Sequence, residues 1–101
     1  MADIYEFLGI IFRIYTKEHY PVHIHARYGN QETVFEFIIE NGNIIGLKRR
    51  KSHRGDLSES QMRDAEKIIW QYRADIYSKF FTIVKEKKKV KKEFIHKKTI
   101  K

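Results

Sequence analysis

Apolar and polar residues alternate through the first half of the chain, and a period of two predicts strands. In Phe7 to Tyr15, "FLGIIFRIY", Leu8, Ile10, Phe12 and Ile14 share one face and Gly9, Ile11, Arg13 and Tyr15 the other. A polar loop with the chain's single proline follows, "TKEHYPV". The second predicted strand is His23 to Tyr28, with Ile24, Ala26 and Tyr28 opposite His23, His25 and Arg27. Gly29-Asn30 suits a two-residue type II′ turn. The third strand, Glu32 to Ile39, sets Thr33, Phe35, Phe37 and Ile39 against Val34, Glu36 and Ile38. Asn41-Gly42 calls for a type I′ turn, and the fourth strand is Asn43 to Leu47.

The turns test the faces. A two-residue loop at 29–30 pairs His23 with Glu36, Ile24 with Phe35, His25 with Val34, Ala26 with Thr33 and Arg27 with Glu32. The second turn pairs Ile39 with Ile44 and Ile38 with Ile45. Opposed residues share a face, and the apolar sets agree.

After residue 57 the period changes. Ser58 and Gln61 form a capping-box pattern. Met62, Ala65, Ile69, Tyr72, Ile76, Phe80 and Ile83 then recur at steps of three and four. That stripe predicts one helix of some seven turns lying on the apolar face of the sheet. Trp70, Tyr77 and Phe81 fall off it. The expected fold is α+β: a four-stranded antiparallel meander packed against one long C-terminal helix. Residues 1–84 make a single domain and 85–101 a lysine-rich tail or arm. The tail is either a solvated end or an arm that binds a phosphate backbone or a partner. "EFIHKKTI" keeps enough apolar residues to add a strand.

Charge changes this picture. Residues 1–47 hold three basic side chains and six acidic ones; residues 48–101 hold eighteen and seven. A basic half suits an acidic partner, either RNA or a small acidic protein. There is no cysteine, so disulfides and thiolate metal sites are excluded. No stretch has the roughly 18 apolar residues of a membrane span. The opening residues do not read as a signal peptide, so a cytoplasmic protein is expected. No cofactor motif is present.

The candidate chemistry lies on one face of the predicted sheet. His23 and His25 are two apart on a strand, with Cα atoms about 6.5–7 Å apart. They can converge on a phosphate, or on a metal if a third ligand joins them, for which His19 and Glu36 are the candidates. Without a metal, Arg13, Tyr15, His19, His23, His25, Arg27 and Glu36 supply the parts for RNA cleavage. A histidine or Glu36 acts as base, another histidine as acid, and Arg13 or Arg27 as anion clamp. The plainer reading is a polar solvent face with an ordinary Arg27–Glu32 ion pair. Lys48, Arg49, Arg50, Lys51 and Arg54, read as a basic loop, are candidate phosphate contacts. Val34, Ile38, Ile45 and Leu47 are apolar on the histidine face. The C-terminal arm, a second copy or a partner protein would cover them.

"FLGIIFRIYTKEHYPVHIHARYG" resembles the opening of a small bacterial family, the domain of unknown function 4160. The correspondence runs through Phe7, Gly9, Ile10 and Tyr15, then Glu18, His19, Pro21, His23, His25, Ala26, Tyr28 and Gly29. Val22 replaces the second proline of the pattern. "QYRADIYSKFF" is similar to the end of the family's helix. The resemblance covers about residues 5–82. It implies a component of a toxin–antitoxin-like pair and singles out Tyr15, His19, His23, His25 and Tyr28, without assigning them a role.

Overall fold

A computed structural model describes residues 2–17, 21–50 and 54–96. Its sheet has six strands: β1 (Ala2–Phe7), β2 (Ile10–Ile14), β3 (His23–Tyr28), β4 (Gln31–Glu40), β5 (Asn43–Arg50) and β6 (Glu93–Phe94). Two helices, α1 (Glu59–Gln71) and α2 (Arg73–Val84), precede β6. The spatial order is β5-β4-β3-β2-β1-β6. The first five strands form an antiparallel meander, and β6 adds to β1 in parallel. The class α+β holds. The four-stranded meander with one long helix does not.

The extra N-terminal strand comes from a turn hidden inside the first apolar run. Leu8 and Gly9 both take positive φ, 48° and 79°, which is the type I′ pattern. The run therefore folds back on itself, and Leu8 is a turn residue, exposed instead of buried. In β1 a register shift between Asp3 and Tyr5 lets two consecutive residues, Ile4 and Tyr5, both face the core.

The later turns and registers match expectation more closely. Gly29 alone has positive φ in its turn, and Asn41 and Gly42 both do in theirs, as types II′ and I′ require. All five predicted β3–β4 pairs are present. Ile39 pairs with Ile44, but Ile38 faces Gly46 because a bulge intervenes. β5 also runs three residues further than predicted, so Lys48, Arg49 and Arg50 belong to a strand and not to a loop.

Ser58 and Gln61 close the capping box at α1. The helix axis then breaks at Tyr72, whose φ of −103° and ψ of 19° leave the helical region. The break is invisible to periodicity because the three- and four-residue spacing runs on through it, with helical bonds ending at Tyr72 (its N–H to Ile68) and starting from it (Ile76 N–H to Tyr72). The predicted stripe thus remains on one side. Met62, Ala65, Ile69, Ile76, Phe80 and Ile83 join Phe12, Ile24, Phe35 and Phe37 in the core, with Tyr72 packed at its margin.

The segment after α2 crosses to the β1 edge. Ile95 N–H donates to the Glu6 carbonyl, and Lys92 pairs with Glu6 at 3.0 Å. Lys79 of α2 bridges Asp75 (2.7 Å) and Glu93 (3.2 Å) while lying over the Tyr5 ring. The Tyr5 hydroxyl donates to Asp75. Burial first, then the Asp75 carboxylate, pushes the phenol well above its usual range. Burial raises Asp75, but hydrogen bonds from Lys79 and Tyr5 outweigh it and hold the carboxyl below its usual value.

Candidate functional site

Period-two alternation sends His25 and Arg27 of β3 away from the helices, while His23, at the first position of the strand, also packs against Phe80 of α2. Neighbouring strands add Arg13, which pairs with His25, and Glu32, Val34 and Glu36 of β4. This face is less open than a solvent face would be. His23, Glu32 and Val34 are all buried, and His25 nearly so.

A buried carboxylate organises the cluster. Glu32, 6% exposed, accepts from His25 Nδ1 at 3.2 Å. Its other oxygen lies 3.4 Å from the Tyr15 hydroxyl, which donates to it. The Tyr15 ring meets the His25 ring edge-on, with centroids 4.4 Å apart. The imidazole is thereby held on two sides. With Nδ1–H committed to Glu32, the neutral ring carries its lone pair on Nε2. His23 has the same tautomer for a different reason: its Nδ1 donates to the Pro21 carbonyl at 2.8 Å, and a carbonyl only accepts. The two histidine rings are 5.4 Å apart, and His23 also reaches Phe80 at 5.9 Å.

The remaining candidates divide. Arg13 Nε sits 2.7 Å from Asp3 but off the line of its N–H, an ion pair without an aligned hydrogen bond. Arg27 lies opposite Glu32 yet donates to Gly29 O at 3.0 Å, so the expected Arg27–Glu32 pair is absent. Glu36 does stand opposite His23, as predicted, but its carboxylate is 3.6 Å from Arg50. Arg49 is committed to Glu59 (3.0 Å) and Glu66 (2.7 Å) of α1, and these hydrogen bonds raise its already high pKa further. Lys48 and Arg54 are exposed. His19 and Lys51 lie outside the described residues. Among the described residues no group of three His, Cys, Asp or Glu side chains is placed to hold a metal ion.

Sequence reasoning missed Glu32 as the partner of His25. The signal was there in the register: Val34 faces His25, so Glu32 is its diagonal neighbour, within reach of long side chains.

A family model described as Domain of unknown function (DUF4160) matches residues 9–80. The chain belongs to the DUF4160 family. No curated protein and no solved structure matches it. The DUF4160 match takes in Tyr15, the three strands β2 to β4 that carry the cluster, and both helices as far as Phe80. Within it Gly9 and Tyr28 meet: a Cβ built on Gly9 would lie 3.0 Å from the Tyr28 ring. Tyr28 was expected among the core residues; it is half exposed and lies across the β1–β2 turn. These two residues of the motif therefore serve the turn, and His25 the polar cluster. Among the described residues no helix is long and apolar enough to cross a membrane.

Proposed function

We propose that this DUF4160 protein acts on RNA as one component of a toxin–antitoxin-like pair, with His25 and His23 as its acid–base groups. The observation that carries the reading is the buried Glu32 carboxylate holding His25 by Nδ1 beside a second histidine of fixed tautomer. A carboxylate on Nδ1 orients an imidazole and stabilises the cation formed when Nε2 takes a proton. In RNA the proton comes from a ribose 2′-hydroxyl. The 2′-oxygen then bonds to phosphorus, the P–O5′ bond breaks, and the 5′-oxygen takes a proton from Nε2 of a His23 that enters the step as imidazolium, leaving a 2′,3′-cyclic phosphate and a neutral His23. Arg13, paired with His25 across the strands, is the clamp for the phosphorane and shares its charge with Asp3 at 2.7 Å. The test is an RNA-degradation and growth-arrest assay of wild type beside His25→Ala and His23→Ala, each shown to be folded. Loss of both effects in the variants is expected; an inert wild-type protein would sink the reading.

A second reading has its own observation. Ile38 and Ile45 stand exposed together at the bulge, 41% and 53%. An apolar patch on a basic protein suits a small acidic partner protein. In that case Ile45→Glu abolishes partner capture and His23→Ala leaves it intact; the RNA reading predicts neither effect.

A further inference from the structure

The strand that holds Lys48, Arg49 and Arg50 is a weakened phosphate grip, because Arg49 at its middle is held by two carboxylates of α1. A different basic surface adjoins the histidines. Residues 85–92 hold six lysines against one glutamate. Lys87, Lys88 and Lys89, with Val90, wall a cavity of about 450 Å³ whose opposite side is Ala2, Asp3 and Thr16.

Three features make this a built groove and not a loose charged end. α2 closes through wide hydrogen bonds, Glu86 N–H to Phe81 O and Lys88 N–H to Thr82 O. Between them Lys87 takes a φ of +57°, where glycine or asparagine is the easy choice. The chain keeps a lysine there, and its Nζ donates to the Thr16 carbonyl at 2.5 Å, fixing one wall to the end of β2. The groove also leads to the proposed site. Asp3 pairs with Arg13 and Arg13 with His25, so two strand spacings, about 10 Å, separate its wall from the histidine backbone.

We propose that this groove holds the phosphate backbone of single-stranded RNA and delivers an adjacent nucleotide to His23 and His25. The proposal rests on the RNA reading above and names the grip that reading lacks. Lys88 and Lys89 contribute two backbone contacts. Lys88's approach to Glu86, 3.7 Å between exposed groups, does not withhold its charge. Single-stranded binding weakens with salt by about 0.7 in log–log slope per phosphate contact, so losing two lowers the slope by about 1.4.

The experiment is fluorescence anisotropy of a labelled 12-nucleotide 2′-O-methyl RNA, which binds but is not cut, across a salt series. The full chain is compared with Lys88→Ala/Lys89→Ala and with Arg63→Ala/Lys67→Ala, a charge-matched control on exposed positions of α1. Expected are a slope lower by about 1.4 for the lysine pair and an unchanged slope for the control pair. If wild type binds and the lysine pair binds alike, the groove is wrong while the RNA reading stands. If wild type binds no RNA, both fall. If poly-glutamate of matched charge binds as tightly as RNA, the occupant is an acidic protein and the proposal is overturned.

Discussion

Gly9→Ala isolates what the Leu8-Gly9 turn asks of its second residue. Two costs are readable from the structure. The first is backbone: at φ +79° an L-residue pays about 1–2 kcal/mol that glycine does not. The second is contact: the new Cβ meets Tyr28 Cε2 at 3.0 Å, so the ring must give by a few tenths of an ångström. Tyr28 is 45% exposed, so it can tilt outward, and this second cost stays under about 1 kcal/mol. The sum is about 1.5–2.5 kcal/mol, or a fall in Tm of about 6–20 °C for a domain of this size. Gly29→Ala is the internal control. It has φ +58° with nothing within 4 Å of its Cβ, so it bears the backbone cost alone. Urea melts of Gly9→Ala, Gly29→Ala, Tyr28→Ala and the Gly9→Ala/Tyr28→Ala double variant separate the two costs by a double-mutant cycle. Zero coupling between positions 9 and 28 would refute the contact. A Gly9→Ala protein as stable as wild type would refute the turn itself.

Glu32→Gln keeps the shape and removes the charge that His25 and Tyr15 contact; a loss of about 1.5–3 kcal/mol is expected in denaturant melts, together with loss of any RNA cleavage. Lys87→Gly relieves the left-handed backbone and forfeits only an exposed bond to Thr16, so stability in denaturant melts holds or rises by about 0.5 kcal/mol, while RNA affinity drops. Because Asp75 titrates below its unfolded value, its contribution is fully present above the ordinary carboxylate pKa near 4 and is lost as pH falls through the lower folded value. Acid titration of wild type against Asp75→Asn should show that difference vanish at low pH. Phe80→Ala removes a fully buried ring and should cost about 3–5 kcal/mol by thermal melt.

The pattern of residues 23–47 was legible because each signal was redundant there. The Gly29-Asn30 turn set the β3–β4 register, and the alternation agreed with it at Ile24–Phe35 and Ala26–Thr33; past the Asn41-Gly42 turn only Ile39–Ile44 held before the bulge. The first hairpin was not legible, since Leu8-Gly9 is no standard turn pair and alternation runs straight through it. The break at Tyr72 left no trace because the apolar stripe keeps its three- and four-residue spacing through it. In the cluster, the residue types and the shared face followed from period two, but Glu32 was assigned to Arg27 by direct opposition. Side-chain reach decided otherwise: the carboxylate leans diagonally to His25, and Arg27 turns back to the Gly29 carbonyl.

The two-residue β6 has a consequence for how the chain avoids polymerising. It occupies the edge of β1 that would otherwise offer open hydrogen-bonding groups to any passing strand. The contact joins residues 86 apart in sequence, Glu6 and Lys92, so that edge stays open until nearly the whole described chain has been made. β6 is itself too short to template another strand and follows two lysines. At the far edge β5 is bent by its bulge and carries Lys48, Arg49 and Arg50. Neither rim of the sheet therefore offers a long flat strand, and edge-to-edge growth of one copy upon another finds no ready template at either end.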